Sequence, residues 1–489
     1  MRFALFALLL LLPQAADDDA KSEAIFRAIE KLGKQGKFEQ SRVEYRALAK
    51  RYPATPWGKR AAARAAGNGI IFVDEVEANG PMQNRVDFLL CSDGYLYTDS
   101  DQSKWDAQAK ALIQVFFDEP VFKEYRPYFN TWKVFVASNE SGISMKDGEK
   151  DTAFGVASSG GTYHVQPVKS MNVLGAEPIP STEGLGVMLV KDNGGHPLET
   201  GWIIYGGDPS QLVHNWGHGF GTLGDEYINK PGRTKTRLCN VSETPDAENV
   251  PWAHWYKRPD LVKEYGIGVH EGGNGMPKGQ WRPSPGVCSM NDGSSHPYCA
   301  VCREATVVRI YTFVNPIDEA ADNQASFVSK VKKSGETFAL VDPKALPWVL
   351  PMQPATHRLT VKWKLKRDEA TAGGQATGPT PPPIPDDHPS KRDPGTKVGP
   401  EPKDVPKQRV YARIPFDGEA VPTLVRPDKR GRPAEMPDLS KIKLRPGKYQ
   451  LTVEVRDETL IGKVPRPWVL KDESSFMVER MTWTLEIAE

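Results

Sequence analysis

The sequence has little of several features that would settle its class at once. Apart from residues 3–12 it has no long uncharged apolar run, which excludes a chain held in a bilayer by several spanning helices. Neither sign of charge dominates. With Lys+Arg 63 against Asp+Glu 62 and a net charge of +1, a general nucleic-acid or membrane-surface binder is excluded. Cysteine is scarce: five residues allow at most two internal bridges and leave one thiol over. What remains is ordinary globular material, 39% hydrophobic and 26% charged. At 489 residues the chain has room for roughly two to four domains. Twelve tryptophans and 42 prolines point to large aromatic cores joined by proline-rich loops.

Residues 1–16 read as a secretory signal. Arg2 supplies the positive n-region, residues 3–12 the apolar h-region, and Ala15 and Ala16 the small residues before a cleavage point ahead of Asp17. The run is too short for a permanent anchor, and no cysteine follows it to carry lipid. The expectation is a secreted or periplasmic protein with no stable membrane insertion after signal cleavage. In an oxidising compartment disulfides persist, so Cys288 is expected to bond to Cys299 or Cys302, with Cys239 the nearest further candidate. The Cys299-Ala300-Val301-Cys302 spacing also suits a four-cysteine zinc site, the less favoured reading. Cys91 reads as a buried free thiol.

Along the chain, residues 17–68 read as a helical N-terminal segment, a hairpin with Ile25, Ala28, Ile29 and Leu32 at helical spacing. Residues 69–315 turn α/β, with strands expected at 70–73, 86–90, 132–136, 187–190 and 202–205 and a helix at 103–117. Residues 316–489 read as a β-sandwich domain, from the alternation at 359–365, 449–455 and 481–487. A proline-rich insertion at 367–408, dense in Pro, Gly, Lys and Asp, has too few apolar side chains to offset the entropy of ordering.

The chemistry concentrates around residue 214. Asp208-Pro209-Ser210 is a helix start, with a capping side chain and proline in the first turn. On the helix that follows, His214 and His218 stand at i, i+4, which stacks both imidazoles on one face within reach of one ion. In the HExxH motif the residue after the first histidine is a glutamate that takes a proton from the attacking water. Here it is Asn215. A straight helix would carry Asp225 roughly 10 Å beyond His218, so Asp225 can be a third ligand only if the helix ends near Gly221. Glu226 or a more distant residue stays open for that position. His254, His270 and His296 are further potential ligands, though a structural histidine is the commoner case.

The run His214-Asn215-Trp216-Gly217-His218-Gly219-Phe220-Gly221-Thr222-Leu223-Gly224-Asp225-Glu226-Tyr227 resembles the HE-x-GH-x-F-x-x-L-x-DEY signature of bacterial IgA peptidases, a metzincin-like family of zinc metallopeptidases. Further blocks are similar in the same order. They include Asn84-Arg85-Val86-Asp87-Phe88 with Asp93-Gly94-Tyr95, Tyr125-Arg126-Pro127-Tyr128-Phe129-Asn130, Asp151-Thr152-Ala153-Phe154-Gly155, Trp252-Ala253-His254-Trp255, Cys288-Ser289-Met290 and Cys299-Ala300-Val301-Cys302-Arg303-Glu304. The likeness covers residues 80–315 and extends loosely into the C-terminal strands.

The resemblance implies a metzincin-like metallopeptidase domain, with Zn2+ held by His214, His218 and Asp225 and a peptide or protein as substrate. Met290 would be either the methionine of the turn beneath the metal or an ordinary core methionine. Asn215 stands at the catalytic position. An amide holds water but does not accept its proton near neutral pH, and loss of a positioned base costs about 10²–10⁴ in rate. Glu226 and Glu271 are the substitute bases to consider. A weakened peptidase and an inactive module that binds peptide or glycan are the two expectations.

Overall fold

The computed structural model describes residues 3–35, 37–65, 71–146, 148–159, 162–176, 186–191, 198–199, 202–206, 211–228, 238–293, 296–322, 325–334, 337–340, 346–368 and 414–488. The proline-rich stretch expected at 367–408 lies almost wholly outside them, as does the helix start at 208–210. The fold is mixed helix and sheet, in two compact units. The first comprises Met1–Val314, Gln353–Arg358 and Glu458–Glu473; the second comprises Asn315–Met352, Leu359–Asp457 and Ser474–Glu489.

The first unit begins with three helices, α1 (Phe3–Lys34), α2 (Phe38–Arg51) and α3 (Pro56–Ala65). Phe26 and Ile29 of α1, Tyr45 and Leu48 of α2, Tyr52 and Ala61 pack into one buried cluster. Proline opens α3 because the first helical position needs no N–H partner. Ser41 and Arg42 of α2 bond to the hydroxyl and the carbonyl of Tyr97, which fastens the helices to the rest of the unit.

Then comes a six-stranded sheet. Its members are β1 (Ile71–Glu77), β2 (Val86–Asp93), β3 (Phe129–Val136), β4 (Gly186–Val190), β5 (Leu198–Glu199) and β6 (Trp202–Tyr205), in the order β1-β3-β2-β4-β6-β5. The four inner strands pair in parallel, and β1 and β5 cap the edges antiparallel. Every residue of β2 is buried, as a central parallel strand covered on both faces requires. Helix α4 (Asp99–Asp118) starts at Thr98, whose side chain accepts the Asp101 N–H.

Where β2 ends, Asp93 becomes an anchor. Its carboxylate accepts from the amides of Phe154 and Val156 and the hydroxyls of Thr152 and Ser138, at 2.8–3.3 Å. Gly94 follows at φ +76°, and a Cβ there would lie 2.2 Å from the carbonyl oxygen of Gly142. Only glycine permits that approach. The aspartate and aromatic blocks upstream of the histidines thus build the scaffold.

The second unit holds two larger sheets. One orders Thr337–Leu340, Phe327–Ser334, Val478–Ala488, Gly447–Arg456, Thr360–Arg367 and Glu419–Val421; the other orders Ile317–Ala320, Val349–Pro351, Pro433–Pro437 and Thr423–Pro427. Trp363 and Trp483 sit 5.8 Å apart in the first of them, each 1% exposed. Tyr449 returns its hydroxyl to the Arg445 carbonyl at 2.9 Å and closes the Arg445-Pro446-Gly447 turn.

Candidate metal centre

The histidines stand on α5 (Leu212–Gly219). Two residues along a helix is about 200°, so Trp216 points away from the face that carries His214 and His218. That opposite face is firmly seated. Trp216 is 1% exposed and meets Phe88 of β2 and Phe116 of α4 edge-on, at 5.2 and 5.0 Å between ring centroids. The Tyr298 hydroxyl donates to the Val213 carbonyl at 2.5 Å, and Arg309 Nε donates to that of Phe220 at 3.1 Å.

The helix then stops. Phe220 N–H still reaches the Trp216 carbonyl at 2.8 Å, but Leu223 N–H turns back to that of Gly217 at 3.0 Å, through Thr222 at φ +51°. The reversal carries residues 223–226 back beneath the histidines. Asp225, fully buried, lies with Oδ1 3.3 Å from His214 Nε2 and 3.0 Å from His218 Nε2; the two Nε2 atoms are 3.1 Å apart.

Backbone contacts set the orientation of both rings. His214 Nδ1 is 2.9 Å from the Ser289 carbonyl and His218 Nδ1 is 2.7 Å from that of Leu223. A carbonyl only accepts, so each Nδ1 carries the proton and each Nε2 turns its lone pair to the common point. Around an ion with bonds of roughly 2.0–2.1 Å, tetrahedral ligand atoms stand about 3.3 Å apart. The three separations fit, and this is one of two groups among the described residues that could hold a metal ion.

Asn215 is buried on the same helix, 8% exposed. Met290 is also buried and lies against the helix: a Cβ on Gly217 would come 2.6 Å from its sulfur, and its carbonyl accepts the Glu226 N–H at 2.8 Å. Tyr227, which sequence reasoning did not single out, stacks on His214 with ring centroids 6.0 Å apart. The strands β7 (His270–Gly273) and β8 (Met276–Arg282) form a hairpin whose turn donates to the Asp225 and Tyr227 carbonyls from Asn274 and Gly275, at 2.7 and 2.9 Å.

Other candidates lie elsewhere. His254 Nε2 is 2.6 Å from Glu304, and His296 Nδ1 is 2.6 Å from Asp292. Neither these nor His270 belongs to the converging group. Glu226 is corrected both as third ligand and as substitute base. Its carboxylate contacts Ser284, Asn240 at 3.2 Å, Cys302 at 3.2 Å and Cys299 at 3.6 Å. Burial, then the neighbouring Cys299, pushes it up to about 8. Glu271 is exposed on β7.

The expected disulfide is a second correction. Cys288, Cys299 and Cys302 do lie together, but all five cysteines are free, and Cys288 Sγ and Cys302 Sγ stand 3.8 Å apart. A disulfide needs about 2.05 Å. The sulfurs instead converge with Glu226 as the second group that could hold a metal, without Cys239. Cys91 is fully buried, and burial pushes its thiol far up.

The site and scaffold together define a class: a mixed helix-and-sheet protein with a His-His-Asp group that could hold a metal ion. Residues 75–168 match the model of the family described as IgA Peptidase M64, which supports the IgA-peptidase family and a peptidase-like character for the protein. The matched segment runs from within β1, past the strands Ala157–Ser159 and Thr162–His164, to the start of the helix Pro167–Ala176, and ends before α5, so His214, His218 and Asp225 lie outside it. No curated protein matches the chain.

Proposed function

We propose that the protein is an exported, metzincin-like zinc metallopeptidase relative that binds Zn2+ through His214, His218 and Asp225 and engages peptide or protein chains at that site. The supporting observation is the convergence of two Nε2 atoms and one carboxylate oxygen within 3.0–3.3 Å, with both Nδ1 atoms committed to backbone carbonyls. When bound, zinc would supply Lewis acidity to a scissile carbonyl and to water. The chain's own part is to orient the two imidazoles, close the third corner with Asp225 and exclude solvent beneath it. In this reading the domain is metallopeptidase-like and the C-terminal strands are an appended β-sandwich.

Asn215 favours a second reading within the same site, a pseudopeptidase that holds a peptide or glycan. An asparagine amide can donate to and accept from water, but it does not take up the proton that attack releases. The test is metal content together with proteolysis of an unfolded protein by wild type and Asn215→Glu. Wild type should carry zinc yet cleave little, and Asn215→Glu should raise hydrolysis by about 10²-fold or more. Vigorous chelator-sensitive cleavage by wild type would show that another residue is the base. A zinc-free wild type with an inactive glutamate variant would leave binding as the only role.

A further inference from the structure

We propose that Glu226, Cys288, Cys299 and Cys302 form a second, structural site for a thiophilic divalent cation, Zn2+ first, which clamps the two segments that orient the His-His-Asp group. The four ligands come from three places in the chain. Glu226 directly follows Asp225. Cys288 caps the short helix Ser289–Asp292, and Cys299 and Cys302 lie at the start of α6 (Ala300–Tyr311).

The geometry is that of a tetrahedral shell. With Zn–S near 2.3 Å and Zn–O near 2.0–2.1 Å, edges of about 3.8 Å between sulfurs and about 3.5 Å between sulfur and oxygen are required. Observed are 3.8 Å for Cys288 to Cys302, and 3.2 and 3.6 Å from Glu226 Oε1 to Cys302 and Cys299; all four ligand atoms lie within 4.8 Å of one another. The surroundings suit bound thiolate rather than thiol. Backbone N–H groups of Met290 and Cys299 point at Cys288 Sγ, at 3.4 and 3.3 Å, and a neutral thiol is only a weak acceptor.

The outer shell is built as well. Ser284 donates to Glu226 Oε2 and Asn240 donates to Oε1 at 3.2 Å, while the Asn240 oxygen takes the Gly224 N–H at 2.7 Å. Such partners fix the orientation of a ligating carboxylate. Glu226, Cys288 and Cys302 are fully buried. The groups touching the carboxylate are a hydroxyl, an amide and two thiols, none of them positive. A divalent cation would make this set of donors inexpensive to bury.

The clamp has a direct target. The carbonyls that hold the two imidazoles belong to Leu223 and Ser289. Leu223 is three residues from Glu226, and Ser289 is next to Cys288. The proposal does not rest on the peptidase reading, because an ion here would be structural whether or not the first site turns over peptide.

The test uses the full chain carrying His214→Ala and His218→Ala, which removes the first group and leaves the second. The variant, expressed with zinc and never reduced or chelated, should retain one zinc ion per chain, with an X-ray absorption spectrum showing a mainly sulfur first shell. Adding Cys299→Ser and Cys302→Ser should abolish that metal. The absorption spectrum of the histidine variant decides the matter even if the cysteine variants fail to fold. A metal-free, folded histidine variant overturns the proposal, as does a bound ion with only nitrogen and oxygen neighbours. A Cys288–Cys302 disulfide found by unreduced mass spectrometry in the metal-loaded chain overturns it too.

Discussion

Gly217 lies between the two histidines on α5, and its missing side chain lets two others reach the helix. A Cβ there would stand 2.6 Å from Met290 Sδ and 2.8 Å from Tyr298 Oη. The sulfur sits on a flexible chain and can give way; the tyrosine is tied to the Val213 carbonyl at 2.5 Å. Gly217→Ala gains about 1 kcal/mol of helix propensity but overpacks a filled site, a cost of about 1–3 kcal/mol. The expected net is a loss on the order of 1 kcal/mol by denaturant midpoint, with Gly148→Ala, which meets nothing within 4 Å, near zero. A stabilised Gly217→Ala would mean that this contact is loose. The same residue shows what could be read beforehand. The i, i+4 histidines and a glycine-rich helix end are local patterns, so His214, His218 and the return of Asp225 could be posed from spacing alone. Glu226 with the cysteines could not, because its partners lie 73 and 76 positions away. Only the fold relates them; the Cys299-x-x-Cys302 spacing suited a metal, but the expected oxidising compartment pointed to a bridge instead.

Elements were readable in proportion to how strongly one environment dictated their composition. The expected strand 86–90 is part of β2, buried along its whole length, and an unbroken apolar run is what such a strand needs. The start of α5 gives no such comparison. Its first described cap position, Gln211, makes no side-chain cap bond, and the expected start at 208–210 lies outside the described residues. The short helix Pro120–Glu124 carries another contact invisible to local pattern. Glu124 meets His357, which is far along the chain in the same unit, at 2.7 Å, and also accepts from Thr356. Burial alone would raise the Glu124 carboxyl; the bonds from His357 and Thr356 outweigh it and hold the group down at about 2. A carboxylate depressed in the fold contributes stability above its unfolded value, near 4.3, and that contribution is lost as pH falls toward its folded value. Wild type should therefore lose melting temperature between about pH 4.5 and 2 more steeply than Glu124→Gln does. Thermal melts of the two across that window give the comparison, and parallel slopes would remove the pair from the acid response.

At the scale of the whole molecule, the N-terminus separates export from folding. Helix α1 runs from Phe3 to Lys34 without a break, so the proposed signal and the first mature residues share one helix. Among the described residues, no helix is long and apolar enough to cross a membrane. The packing described for α1 lies after the proposed cleavage point. Among the residues of α1 whose burial is described, Ser22, Phe26, Ile29 and Gly33 are buried, and Phe26 meets Tyr45 and Trp57 at 5.1 and 5.2 Å. A helix held by tertiary contacts on one face does not need an N-terminal extension to persist. Cleavage after Ala16 would remove the apolar run and leave that cluster whole. The prediction is that protein recovered from the exported fraction of a bacterial host begins at or near Asp17 by intact mass. A chain expressed from Asp17 should melt at the temperature of the exported form, whereas Phe26→Ala in that chain should cost about 3–5 kcal/mol. If the exported protein keeps residues 1–16, the run is an anchor and the signal reading fails. If the chain from Asp17 melts well below the exported form, the first turns of α1 are part of the fold and cleavage must lie further upstream.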